Sequence, residues 1–177
     1  MSLFKSDDGE EIYEKSRKKT IEKNGKIYKR VPSPKYQSRS SRCGDVISNL
    51  ESAKDSLENI VSELSEEDIA SETVVEKIEE AEEILSGIDS GELESLQSEM
   101  EDWRDNMSGT NLESTSKFET VSECADYLSS ASDGLSSMNS ELSEEKDSAI
   151  SEIEDQISNL EEMIGNLESC EFPGMFG

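Results

Sequence analysis

The sequence predicts an all-α protein, an elongated helical bundle or set of coiled-coil hairpins preceded by a basic N-terminal arm. Three observations predict it. Apolar residues recur at alternating steps of three and four from residue 46 onward. Hydrophobic residues make up only 32% and aromatics 5%, which excludes a broad core but allows narrow seams between helices. Charge is sharply divided: residues 1–42 carry 12 Lys and Arg against 6 Asp and Glu, whereas residues 43–177 carry 5 against 37.

Residues 1–42 read as the arm. Asn24-Gly25 between Thr20-Ile21 and Ile27-Tyr28 signals a type I′ hairpin. A lone hairpin is marginal in water, so it must lean on something or stay partly disordered. Pro32, Pro34 and "YQSRSSR" then predict an extended linker up to Arg42.

Residues 43–169 read as the acidic bundle, with helices over about 44–64, 66–88, 91–107, 116–142 and 144–169. The first stripe is Val46, Leu50, Ala53, Leu57, Ile60 and Leu64; the second is Val74, Ile78, Ala81, Leu85 and Ile88. Leu93, Leu96, Met100, Trp103 and Met107 follow, and then Phe118, Val121, Ala125, Leu128, Leu135, Met138 and Leu142. The regular series Ile150, Ile153, Ile157, Leu160, Ile164 and Leu167 predicts a seam that packs against another helix. Residues 170–177 form a short apolar tail.

Two stretches are alike at an offset of 78: "LESAKDSLENIVSELSEE" (50–67) and "LSSASDGLSSMNSELSEE" (128–145) share 11 of 18 positions. In each, a Ser (Ser65, Ser143) before two Glu suggests a cap for a new helix, and hence a hairpin turn. The rival, two long continuous helices, has neither Gly nor Pro against it at these turns. Trp103 falls on an apolar stripe, Ser108-Gly109 supplies a stop, and Ser116 with Glu119 forms a capping box for the next helix. Trp103 is therefore expected to pack at a joint near Phe118, its ring N–H reaching an acceptor. Trp103, Phe118, Ile153, Ile157, Leu160 and Ile164 are the expected structural residues.

Composition narrows the chemistry. The chain has no histidine, which removes the commonest general base and the imidazole ligand of zinc or iron. Cys43, Cys124 and Cys170 are odd in number and far apart, as suits a reducing compartment, and Cys124 beside Glu123 and Asp126 reads as packing rather than as a nucleophile. Carboxylates are so abundant that their spacing says little. The loop from Asp105 fails the calcium pattern, with Gly109 at its fifth position and no acid at its third. No P-loop occurs. The sequence thus points away from catalysis, with no cofactor and no metal.

Binding is the remaining class. Lys18, Lys19, Lys29 and Arg30 lie among Tyr13, Tyr28 and Tyr36, a mixture suited to an acidic groove or, at this arm only, to nucleic acid. Phe172, Met175 and Phe176 at the chain end suit a docking peptide, or fold back on the bundle. The acidic face suits protein partners with a basic surface, and the seams suit self-association. No stretch approaches the roughly 18 apolar residues of a membrane span and no leader is read, so the expected site is the cytoplasm.

The stretch "EMEDWRDNMSGTNLESTSKFE", residues 99–119, resembles a segment of uncharacterised acidic coiled-coil proteins of tailed bacteriophages. The resemblance implies a phage-like origin, hence a host cytoplasm or a virion, and brings no activity or functional residue with it. Two readings result. One is a non-enzymatic interaction or structural protein, a virion component or accessory factor. The other is an inhibitor whose carboxylates imitate the phosphates of nucleic acid.

Overall fold

A computed structural model of the chain describes residues 2–6, 9–14, 20–31 and 37–174, which fall into two compact units, one up to Ser38 and one from Arg39.

The first unit is a four-stranded antiparallel sheet: β1 (Ser2–Ser6), β2 (Glu11–Glu14), β3 (Thr20–Lys23) and β4 (Lys26–Arg30), in the order β2-β1-β4-β3. The expected hairpin is β3–β4. Asn24 at φ 53 and Gly25 at φ 75 give the two left-handed residues of a type I′ turn, and Lys23 pairs with Lys26 across it. What the sequence reading lacked is the second hairpin, β1–β2, on which the first one leans. Its signal was present in Asp8-Gly9 between "LFK" and "EIY", and Gly9 has the positive φ, 87, that such a turn needs. Pairing puts Ser6 opposite Tyr28 and Tyr28 opposite Ile21, so one face carries Phe4, Ser6 and Tyr28, all buried.

The second unit is helical: α1 (Arg39–Leu64), α2 (Ser71–Ser86), α3 (Gly91–Met107), α4 (Ser116–Ser137) and α5 (Lys146–Glu168). Four of these close a ring in which α1 touches α5, α5 touches α4, α4 touches α3 and α3 touches α1, with α2 laid against α1. Neighbours run antiparallel. Cys43 meets Leu167 while Lys54 meets Glu161, and Gly134 meets Met163 while Cys124 meets Cys170. Each apolar stripe turns inward to one shared core, with Leu57, Leu64, Leu93, Leu96, Met100, Leu128, Ile153 and Leu160 fully covered. On α5 the covered line is Ala149, Ile153, Leu160, Met163 and Leu167; Ile150, Ile157 and Ile164 lie on its edge, half-buried. A bundle of packed helices describes this unit better than extended coiled-coil hairpins.

Several local expectations are corrected. Residues 39–42 are helix, not linker, because Arg39 and Arg42 find carboxylates on α3 that hold the first turn in place. Ser65 caps nothing: its hydroxyl donates back to the Val61 carbonyl at 2.7 Å, and the new helix waits until Ser71. Ser143 does not cap α5 either, which starts after Glu145. The α4 cap is Thr115 rather than Ser116; its hydroxyl accepts the Phe118 amide at 3.3 Å.

The similar stretches diverge. The first stays helical to Leu64, whereas the second leaves helix after Ser137, and residues 138–142 run without secondary structure. Two carboxylates explain how that segment survives off the helix. Glu82 of α2 accepts the Leu142 amide at 2.8 Å, and Glu152 of α5 accepts the Ser143 amide at 2.7 Å.

Candidate functional site

The few cations of the helical unit locate its important contacts. Residues 39–174 contain seven Lys and Arg, and each reaches a different helix or the turn after one. Arg42, only 14% exposed, bonds Glu92, Glu99 (2.6 Å) and the Ser95 hydroxyl (3.0 Å) of α3; Arg39 bonds Glu99 at 2.8 Å. Lys54 reaches Glu161 at 3.5 Å, Lys77 reaches Glu63 at 2.9 Å, and Arg104 reaches Asp126 at 3.1 Å. Lys146 donates to the Glu66 carbonyl at 2.9 Å, just beyond the end of α1. Lys117 lies over the Trp103 ring, 5.5 Å from its centre.

This network shifts acidities in a consistent direction. Burial works to raise the Glu99 pKa, but hydrogen bonds from Arg42 and Arg39 outweigh it and hold the carboxyl below the usual glutamate range. The hydrogen bonds that Lys77 donates to Glu80 and then to Glu63 push its pKa upward.

Trp103 is half-buried against the core, as is Phe118. Its faces are met by Arg39 at 5.0 Å and Lys117 at 5.5 Å from the ring centre, so the joint ties α1, α3 and α4 together through two cations. Arg104, by contrast, acts as charge relief toward Asp105 and as a tie to Asp126.

A groove of about 660 Å³ lies between α1, the end of α2 and the start of α3. Val46, Leu50, Ala53, Ile84, Ile88 and Leu135 supply its apolar lining. Four exposed carboxylates, Glu80, Glu83, Asp89 and Glu92, also line it, and no Lys or Arg does. Small residues are part of its lining: Ala53 and Ser56 on α1, and Gly87 just past α2. No periodicity announces such a gap, and the sequence reading had no signal for it.

The expected binding residues fare differently. Tyr28 is 3% exposed, a correction that follows from its pairing with Ser6 and Ile21, which places it on the sheet face that carries the buried Phe4 and Ser6. Lys29 and Arg30 are exposed on the same strand. Lys18, Lys19, Met175 and Phe176 lie outside the described residues. Phe172 is not offered outward; it packs half-buried against the core of the bundle. Ile153 and Leu160 are covered within the chain itself, so these positions are not available for pairing with a second copy. Among the described residues, no three of Cys, Asp and Glu are placed to hold a metal ion, and no helix is long and apolar enough to cross a membrane.

Comparison of the chain with protein-family models, with curated proteins and with solved structures finds no match.

Proposed function

We propose that this protein is a non-enzymatic interaction protein, and that its helical unit receives a basic, amphipathic helix of a partner protein in the groove between α1, α2 and α3. The observation that carries the reading is the lining of that groove: apolar side chains with four exposed carboxylates, two of which, Glu80 and Glu92, also pair with Lys77 and Arg42. A partner helix with apolar residues at steps of three and four, flanked by Lys or Arg, matches both features. Absence of histidine throughout the chain favours binding over catalysis. A phage origin, as a virion component or accessory factor, rests on the resemblance of residues 99–119 alone.

The test is titration of the full chain with a fluorescent amphipathic Leu/Lys helical peptide and with its scrambled counterpart. The ordered peptide should bind more tightly, and Ala53→Trp, which fills the groove, should weaken it at least tenfold. Equal binding of both peptides, or full binding to Ala53→Trp, would remove the groove from the reading.

A second reading is nucleic-acid mimicry. It is favoured by the engagement of all seven cations of the helical unit with neighbouring elements, which leaves its outward carboxylates unopposed. Binding to a DNA-binding protein that collapses steeply with salt would support mimicry; groove binding should weaken only modestly.

A further inference from the structure

Cys43, Cys124 and Cys170 belong to three separate stretches of chain: the start of α1, the middle of α4 and the residues just after α5. Antiparallel packing carries all three to one end of the bundle. The Cys43 thiol donates to the Leu167 carbonyl at 3.7 Å, and the Cys170 amide donates to that same carbonyl at 3.1 Å. The Cys170 thiol lies 3.6 Å from the Asn166 carbonyl and 3.8 Å from the Cys124 carbonyl. The Leu167 carbonyl thus gathers the Cys43 thiol and the Cys170 amide, while the Cys170 thiol lies against the Cys124 backbone.

Three cysteines in a chain of 177 residues need not have met. Burial as small apolar fillers accounts for Cys124, which is fully covered, and for Cys43 in isolation. It does not account for Cys170. That residue is half-buried, sits beyond the last helical residue and begins a stretch without secondary structure, which leaves it the least covered of the three thiols.

We propose that Cys43 and Cys170 form an oxidative modification site, closing into an intramolecular disulfide on reaction with a low-molecular-weight disulfide of the glutathione class. The more accessible Cys170 reacts first. Its thiolate attacks one sulfur of glutathione disulfide, the S–S bond of the reagent breaks, and one glutathione thiolate leaves. Cys43, held at the same Leu167 carbonyl as the Cys170 amide, loses its proton and attacks the Cys170 sulfur of the mixed disulfide, expelling the second glutathione thiolate. The two thiol protons finish on the two glutathione molecules; the protein is oxidised by two electrons and the reagent is reduced by two. The product ties the first turns of α1 to the chain beyond α5, joining elements at opposite ends of the helical sequence.

Kinetics set the conditions. The neighbouring Cys124, together with burial, outweighs the lowering effect of Cys43 and pushes the Cys170 thiol up to about 12, while Cys170 and burial raise Cys43 as well. Thiolate is therefore scarce at neutral pH, and closure should be slow there and faster in alkali.

The full chain, incubated with glutathione disulfide at about pH 8.5, tests this by intact mass, peptide mapping and thermal melting. The expected product has lost two hydrogens, yields a Cys43–Cys170 linked peptide, and melts at a higher temperature until dithiothreitol is added. Cys170→Ser should abolish the mass change and the rise together, while Cys124→Ala should preserve both. Three thiols still open to alkylation, a persistent glutathione adduct, a link through Cys124 or a link between two chains would each overturn the proposal.

Discussion

Replacing Arg42 by Met keeps most of the side-chain stem and removes the guanidinium, which isolates the charge contribution of the clamp between α1 and α3. An exposed ion pair contributes about 0–1 kcal/mol, whereas removing one partner of a buried pair costs about 3–5 kcal/mol. Arg42 lies between these limits: its side chain is 14% exposed, but those of Glu99 and Glu92 are 36% and 47% exposed. The substitution also leaves Glu92 without its cation and the Ser95 hydroxyl without its donor. A loss of about 1.5–3 kcal/mol follows from that intermediate placement. For a chain of this size it corresponds to a fall in melting temperature of roughly 3–12 °C. Urea unfolding of Arg42→Met, Glu99→Gln and the double variant gives the coupling directly, expected above about 0.5 kcal/mol. If residues 39–42 were a solvated linker, Arg42→Met would melt like the parent and the coupling would vanish, and the placement of the start of α1 would be wrong.

Three other outcomes are expected. Because the Glu99 carboxyl titrates below its unfolded value, it contributes stability above the ordinary glutamate pKa that is lost as pH falls through the lower folded value; Glu99→Gln should flatten the acid limb of a stability–pH curve, and an unchanged limb would contradict the shift. Trp103→Leu keeps an apolar filler but removes both cation contacts, at about 0.5–1 kcal/mol each, and should show coupling to Lys117→Gln in denaturant melts; simple additivity would mean that the ring and the ammonium do not interact. Leu160→Ala, at a fully covered position, should cost about 2–5 kcal/mol, and Ile157→Ala on the edge of the same helix distinctly less; equal losses would show that the covered line of α5 is misassigned.

The helices were legible because each carries its own apolar period, and that period survives whatever the neighbours are. Asn24-Gly25 was legible for a similar reason: two left-handed residues are a local demand with a local signature. The first turn of α1 was not, since "SRSSR" has no apolar residue and is helical through carboxylates supplied from α3. Nor was the break after Ser137. The six residues "SELSEE" occur twice; in one copy they end a helix, in the other they follow a helix already broken, with amides taken up by Glu82 and Glu152. Identical letters met different surroundings. The groove and the meeting of the three cysteines belong to the same category, being products of how helices lie together. Tyr28 was misread for another reason: an aromatic among cations suits a binding strip, but its pairing partners place it on the covered face.

The cations of the helical unit act as cross-ties, and this has a consequence between molecules. With every Lys and Arg of that unit turned toward a neighbouring element, its outward field is of one sign. Two such units approaching in dilute buffer repel over about 10 Å at 0.1 M ionic strength, each surrounded by a cloud of small cations drawn from the solvent. Crowded copies would hold one another apart while their counterions raise the local osmotic pressure, and added salt, which loosens the internal cross-ties, would at the same time let the molecules come closer.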